Sequence, residues 1–179
     1  MNKEKFIYNK FIVDNIKFST HERTLFLSLE KFYSNDNNFL KLSEIINGKS
    51  LISRRTIEFF VTNYCKITQI NHAYIKNNKL IKYNIWSSYK DQLKAYKKIY
   101  FDPFGRGDRI PFIYKDNYLI TTIAQLNFFR WFFEKDVYNY TINNYLDINN
   151  KFSNNKFKIK HKKQQLVPNS SIKKKVITF

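Results

Sequence analysis

The chain has 179 residues, 32 Lys+Arg against 14 Asp+Glu for a formal charge of +18, and is 43% hydrophobic and 18% aromatic. That length is room for one ordinary domain or two very small ones, and the apolar content excludes wholesale disorder. A single cysteine, Cys65, excludes an intramolecular disulfide framework and a multi-cysteine zinc site, while the lack of any 18-residue apolar run or signal-peptide-like start predicts a soluble intracellular protein with no membrane partner.

In chain order, residues 1–18 are a lead-in whose alternation from Phe11 to Phe18 predicts a short strand. Ser19-Thr20-His21-Glu22 is a helix start, and Leu25, Leu29 and Phe32 then recur at helical spacing up to the Ser34–Asn38 loop. A second helix is expected over about Leu40–Asn47, stopped by Gly48. After Ser53 a third carries Ile57, Phe60, Val61 and Tyr64 on one face, with Arg54, Arg55, Glu58, Thr62 and Lys66 on the other. Two helices joined by a short Gly-containing turn, the second opening on arginines, follow the helix-turn-helix pattern. Residues 73–86 read as a hairpin turning at Asn77-Asn78, and a basic hairpin after three helices would make a winged helix. A helical hairpin plus a structural ribbon is the other arrangement that fits.

Further on, residues 89–100 predict an amphipathic helix, followed by the turn-rich segment Phe101–Phe112. That segment holds two of three glycines, two of three prolines and two of six arginines, Arg106 and Arg109. Such a loop either grips an anion or is a structural turn in which Asp102 and Asp108 pair with the arginines. Residues 109–121 predict a second hairpin around Lys115-Asp116-Asn117. Thr121 or Thr122 then caps a long helix from Ile123 to about Tyr140, whose Phe128, Phe129, Trp131, Phe132 and Phe133 surround its axis and so predict burial on several sides. Arg130 should emerge at an edge or pair with an acid such as Glu134.

From Lys151 to the end there are nine lysines and no acid, so half of the net charge sits in the last 29 residues. Lys156–Lys163 alternates base and apolar residues, as an edge strand or a flexible arm does. The division expected is 1–88 as a helix-turn-helix or winged-helix-like half, 89–149 as a hairpin with an aromatic core helix, and 150–179 as a basic tail. The fold class is α+β.

Catalytic and metal-binding signals are weak. His21, His72 and His161 lie far apart, no phosphate-cradling Gly motif is present, and Cys65 on an apolar helix reads as a buried, inert thiol. A metal held by Asp102, Asp108 or Asp116 would lack the clustered carboxylates that metal-dependent nucleases use. No enzyme activity and no cofactor are expected.

Three stretches carry a family resemblance: Ile52–Tyr64, Tyr89–Tyr96 running on to Phe101-Asp-Pro-Phe104 and Arg109-Ile110, and Thr121–Trp131. Together they resemble segments of uncharacterised proteins of large nucleocytoplasmic DNA viruses, over roughly residues 40–140. The family pattern has Cys-Arg-Arg after Asp-Pro-Phe where this chain has Gly105-Arg-Gly107. The resemblance implies a viral origin, in a viral factory in the host cytoplasm or nucleus or in the virion, and no particular activity.

The function expected is therefore non-catalytic nucleic-acid binding, DNA before RNA. Its contacts would be Arg54, Arg55, Lys76, Lys79 and Lys82 on the third helix and first hairpin, and Arg106 and Arg109 on the loop. Lys160, Lys162, Lys163, Lys173, Lys174 and Lys175 on the tail would add sequence-independent affinity. The alternative is a virion structural or assembly protein, with viral structural or transcription proteins as partners and the aromatic surplus feeding protein interfaces.

Overall fold

The structure, a computed structural model, describes residues 18–105 and 107–165, the last ten of these by backbone alone. The strand expected over Phe11–Phe18 lies, but for Phe18, outside the described residues, as do Arg106 and Lys173–Lys175.

Helix α1 (Thr20–Tyr33) starts at the predicted cap. Ser19 Oγ accepts from the Glu22 amide and the Glu22 carboxylate accepts from the Ser19 amide, a reciprocal capping box. Helix α2 (Asp36–Ile46) begins four residues before the expected Leu40. The cause is Asn35, whose side-chain oxygen accepts from the amides of Asn37 and Asn38, so the Asn-rich stretch is a cap and first turn rather than a loop. Gly48, at φ +72°, follows its end.

The third helix is one rod in three parts: α3 (Arg54–Phe59), a π-helical turn (Phe60–Tyr64) and α4 (Cys65–Thr68). Ser53 caps it. Ile57, Phe60, Val61 and Cys65 are buried. The wider π turn moves the inward position from the expected Tyr64 to Cys65 and turns the Tyr64 hydroxyl outward.

Strands β1 (Asn71–Lys76) and β2 (Lys79–Asn84) pair antiparallel across Asn77 and Asn78, whose φ values of +49° and +60° are those a two-residue type I′ turn requires. Helix α5 (Ile85–Tyr100) starts four residues earlier than expected because Asn84 caps it, and it breaks at Lys97, which has φ +56° and ψ 170°. The second hairpin, β3 (Ile110–Tyr114) and β4 (Asn117–Thr121), is the predicted one. The helix expected from Ile123 to Tyr140 is two helices, α6 (Ile123–Glu134) and α7 (Val137–Asn143), broken at Asp136 with φ +58°. Helix α8 (Tyr145–Gln165) corrects the strand-or-arm reading of Lys156–Lys163. Lysine and glutamine are good helix formers, and no Gly or Pro intervenes before Pro168. The fold is α+β, mostly helical, with two small antiparallel hairpins.

Helix α6 is the centre. Nine of its twelve residues are buried, including Phe128, Phe129, Trp131 and Phe132. From α1, Tyr33 donates its hydroxyl to the Leu126 carbonyl at 2.8 Å. From α5, Ser88 accepts from the Trp131 indole, and Tyr89 and Phe101 pack against that ring. From β3, Phe112 meets Phe26 and Tyr33 edge-on. One buried cluster thus runs from Leu25 to Ile148 and is shared by the helical half and the hairpin–core-helix half. Arg130 is half-buried at the edge of the cluster, one of its two expected placements, and donates to Ser28 on α1 and Asn127 on its own helix.

Residues 101–105 are a built turn. Asp102 accepts from the Phe104 amide, Gln125 donates to the Pro103 carbonyl, and Thr121 donates to the Gln125 oxygen. Gly105 has φ +66°, and a Cβ there would stand 2.6 Å from Gln125 Cδ.

Two stability measurements follow. Gly105→Ala meets both the clash and the left-handed backbone and should lose about 2 kcal/mol or more in urea denaturation. Lys97→Gly relieves a backbone conformation that costs a side-chain-bearing residue about 1–3 kcal/mol, so it should gain about 1 kcal/mol in the same titration.

Candidate nucleic-acid interface

The outward line of the third helix carries Arg55, Glu58, Thr62 and Lys66, at spacings of three and four residues. Arg54 is half-buried and Arg55 exposed in its first turn, which holds no acid. Helix α8 lies along one side of the rod: Phe59 and Phe152 have ring centroids 5.3 Å apart, and the Tyr64 hydroxyl donates to Asp147. Helix α5 meets its far end, where the Lys66 and Lys90 ammonium groups stand 6.0 and 5.6 Å from the Trp86 ring centre.

Between the rod and α8 runs an open groove of about 400 Å³, lined by Arg55, Glu58, Phe59, Thr62 and Asn63 on one wall and Phe152 and Asn155 on the other. Phe104, carried by the 101–105 turn, closes one side. The structure thus brings Arg55 together with the turn-rich loop through Phe104. Arg109 is exposed before β3, and its neighbour Asp108 lines a separate cavity of about 270 Å³ with Glu22 and Tyr100.

The hairpin lysines divide. Lys76 and Lys79 are directly paired beside the turn, while Lys82 pairs with Ala73 and, one register step removed in parity, points from the opposite face. The face of His72, Tyr74, Ile81 and Tyr83 packs inward. Tyr83 donates to the Lys135 carbonyl at 2.6 Å, the Lys135 ammonium donates to the Tyr74 hydroxyl, and His72 Nε2 lies 3.4 Å from an Asp136 oxygen. The stem is anchored at the α6–α7 break, and the tip from Ile75 to Leu80 is exposed. Like charges directly opposed, as at Lys76 and Lys79, repel unless an anion lies between them.

Lys160, Lys162 and Lys163 lie on the backbone of α8, and the exposed Lys151 precedes them on the same helix. Cys65 is buried, which pushes its thiol well above its ordinary range, and it packs as an apolar group. Among the described residues no three His, Cys, Asp or Glu side chains are grouped to hold a metal ion, and no helix is long and apolar enough to cross a membrane.

Of the groove residues, the basic pattern in the sequence singles out Arg55 but not Phe59, Phe104, Phe152 or Asn155. Phe104 follows Asp-Pro in a turn outside any apolar stripe, and Phe152 continues the helical spacing of Tyr145 and Ile148 within an Asn- and Lys-rich stretch. Removing the Tyr64 hydroxyl tests how α8 is held. Tyr64→Phe should lower stability by about 1 kcal/mol and speed amide exchange in α8 more than in α6, read by hydrogen-exchange mass spectrometry.

Comparison with known proteins fits the expected kinship. Over 153 residues the chain is 33% identical to "Uncharacterized protein L507" of Acanthamoeba polyphaga mimivirus, a match covering 78% of this chain and 59% of that protein's length. No solved structure matches the chain. A family model matches residues 8–178, and the chain belongs to that family, the family of unknown function DUF7197.

Proposed function

We propose that this protein binds nucleic acid, DNA before RNA, without catalysing a reaction on it. The observation that carries the reading is the exposed line of the third helix, with Arg55 at one end and Lys66 beside Trp86 and Lys90 at the other, next to a groove that adds aromatic rings. Basic groups interleaved with aromatic ones are what a polyphosphate with bases requires. After the three helices comes a hairpin whose exposed tip carries Lys76 and Lys79, a second basic projection that supports the reading. A chain of +18 supplies the long-range attraction, and the lysine-rich C-terminal residues add phosphate contacts without reading sequence.

A second reading rests on different residues. Ile75 and Leu80 are paired and exposed at the first hairpin's tip, and Tyr118 and Ile120 are exposed on β4. Exposed apolar residues on two hairpins favour a protein partner, as an assembly role in the virion would use. Stable co-purification with a capsid component after nuclease treatment supports that role.

The salt response is the test of nucleic-acid binding. Neutralising about six phosphates makes the affinity for a labelled DNA fall about 10³-fold between 50 and 200 mM salt, measured by fluorescence anisotropy. No binding at 50 mM, or an affinity insensitive to salt, overturns the proposal.

A further inference from the structure

Resting on the nucleic-acid reading, we infer that the groove between the third helix and α8 takes an unpaired base, so that the preferred ligand is single-stranded rather than duplex nucleic acid. Phe59, Phe104 and Phe152 are half-buried, and none belongs to the central cluster of the described residues. Three phenylalanines outside the core, contributed by three separate elements, nevertheless converge on one groove. The groove is open to solvent rather than enclosed. Around the rings stand Arg55, a phosphate or carbonyl donor, and Glu58, Thr62, Asn63 and Asn155. The Asn155 carboxamide is of the kind that hydrogen-bonds the edges of splayed bases, while the Thr62 hydroxyl already donates to the Glu58 carbonyl and accepts from Asn63.

Geometry disfavours a duplex at the same face. A major groove about 12 Å wide admits one helix about 10–12 Å across. Here α8 packs beside the third helix through Phe59–Phe152 and Tyr64–Asp147, and two packed helices with axes about 8–10 Å apart are together about 20 Å wide. The pair is too broad to enter. A single strand needs no such entry, since it lays its backbone past Arg55 and turns a base onto the rings.

The experiment titrates the whole chain with a labelled 15-nucleotide single-stranded DNA and with the duplex of the same sequence at one salt concentration. The expected result is at least about ten-fold tighter binding of the single strand. Phe104→Ala should weaken single-strand binding about ten-fold while leaving duplex binding within about two-fold, in keeping with the loss of one stacked base. Arg55→Gln, an exposed substitution that leaves every described packing contact in place, should weaken single-strand binding as well and guards against a folding defect in the first variant. Equal or tighter duplex binding, or Arg55→Gln and Phe104→Ala both at wild-type affinity, overturns the inference and leaves nucleic-acid binding standing. Absence of binding to either form at low salt overturns both.

Discussion

The fold depends on a helix that is buried on every side over most of its length. Along α6 the nine buried residues, Phe128, Phe129, Trp131 and Phe132 among them, together point all round the axis, so α1, α5 and α7 each supply a wall. Burying one such side chain is worth about 1.5–3 kcal/mol, and several together outweigh the strain of about 1–3 kcal/mol accepted at Lys97 to bring Tyr100 and Phe101 around the helix. The polar residues of α6 do the joining. Asn127 donates to the Tyr100 carbonyl and Gln125 to that of Pro103, so the loop that carries Phe104 is fastened to the central helix rather than left to find its own position.

Charge is disposed by the same constraint. With the interior given over to rings, the cations occupy the outside, and on the third helix Arg55 and Lys66 stand at the two ends of an outward line with Glu58 and Thr62 between them. The π turn matters here. By placing Cys65 inward, it lets Tyr64 reach Asp147 and seat α8, which builds the second wall of the groove. The hairpin is placed by its own inward face, which docks where α6 gives way to α7.

Much of this was legible in the sequence, and the exceptions have causes. The α1 cap, the third helix, both hairpins and the all-round burial of α6 are local patterns of hydroxyl, apolar period and Asn-Asn turn, and local patterns survive folding. Two helix starts were placed late because Asn35 and Asn84 are caps that also look like loop residues. The break at Lys97 occurs at a residue that carries no breaker signal, whereas Asp136 is of a type that enters the left-handed region and begins helices but stands in a run of helical apolar spacing that masks it. Lys156–Lys163 was misread because a two-residue alternation over so short a stretch is compatible with a helix built from good helix formers. At the groove Arg55 was legible, whereas Phe104 and Phe152 were not, since their meeting depends on a loop and a helix about fifty residues apart in the chain.

The bond from Tyr33 to Leu126 spans 93 positions. A ribosome working from the N-terminus therefore releases α1 and α2 long before their central partner has been made. Their oily sides have nothing native to rest on until most of the chain has emerged, so productive collapse comes late in synthesis and the nascent first half is the stage at which a holding chaperone has most to protect.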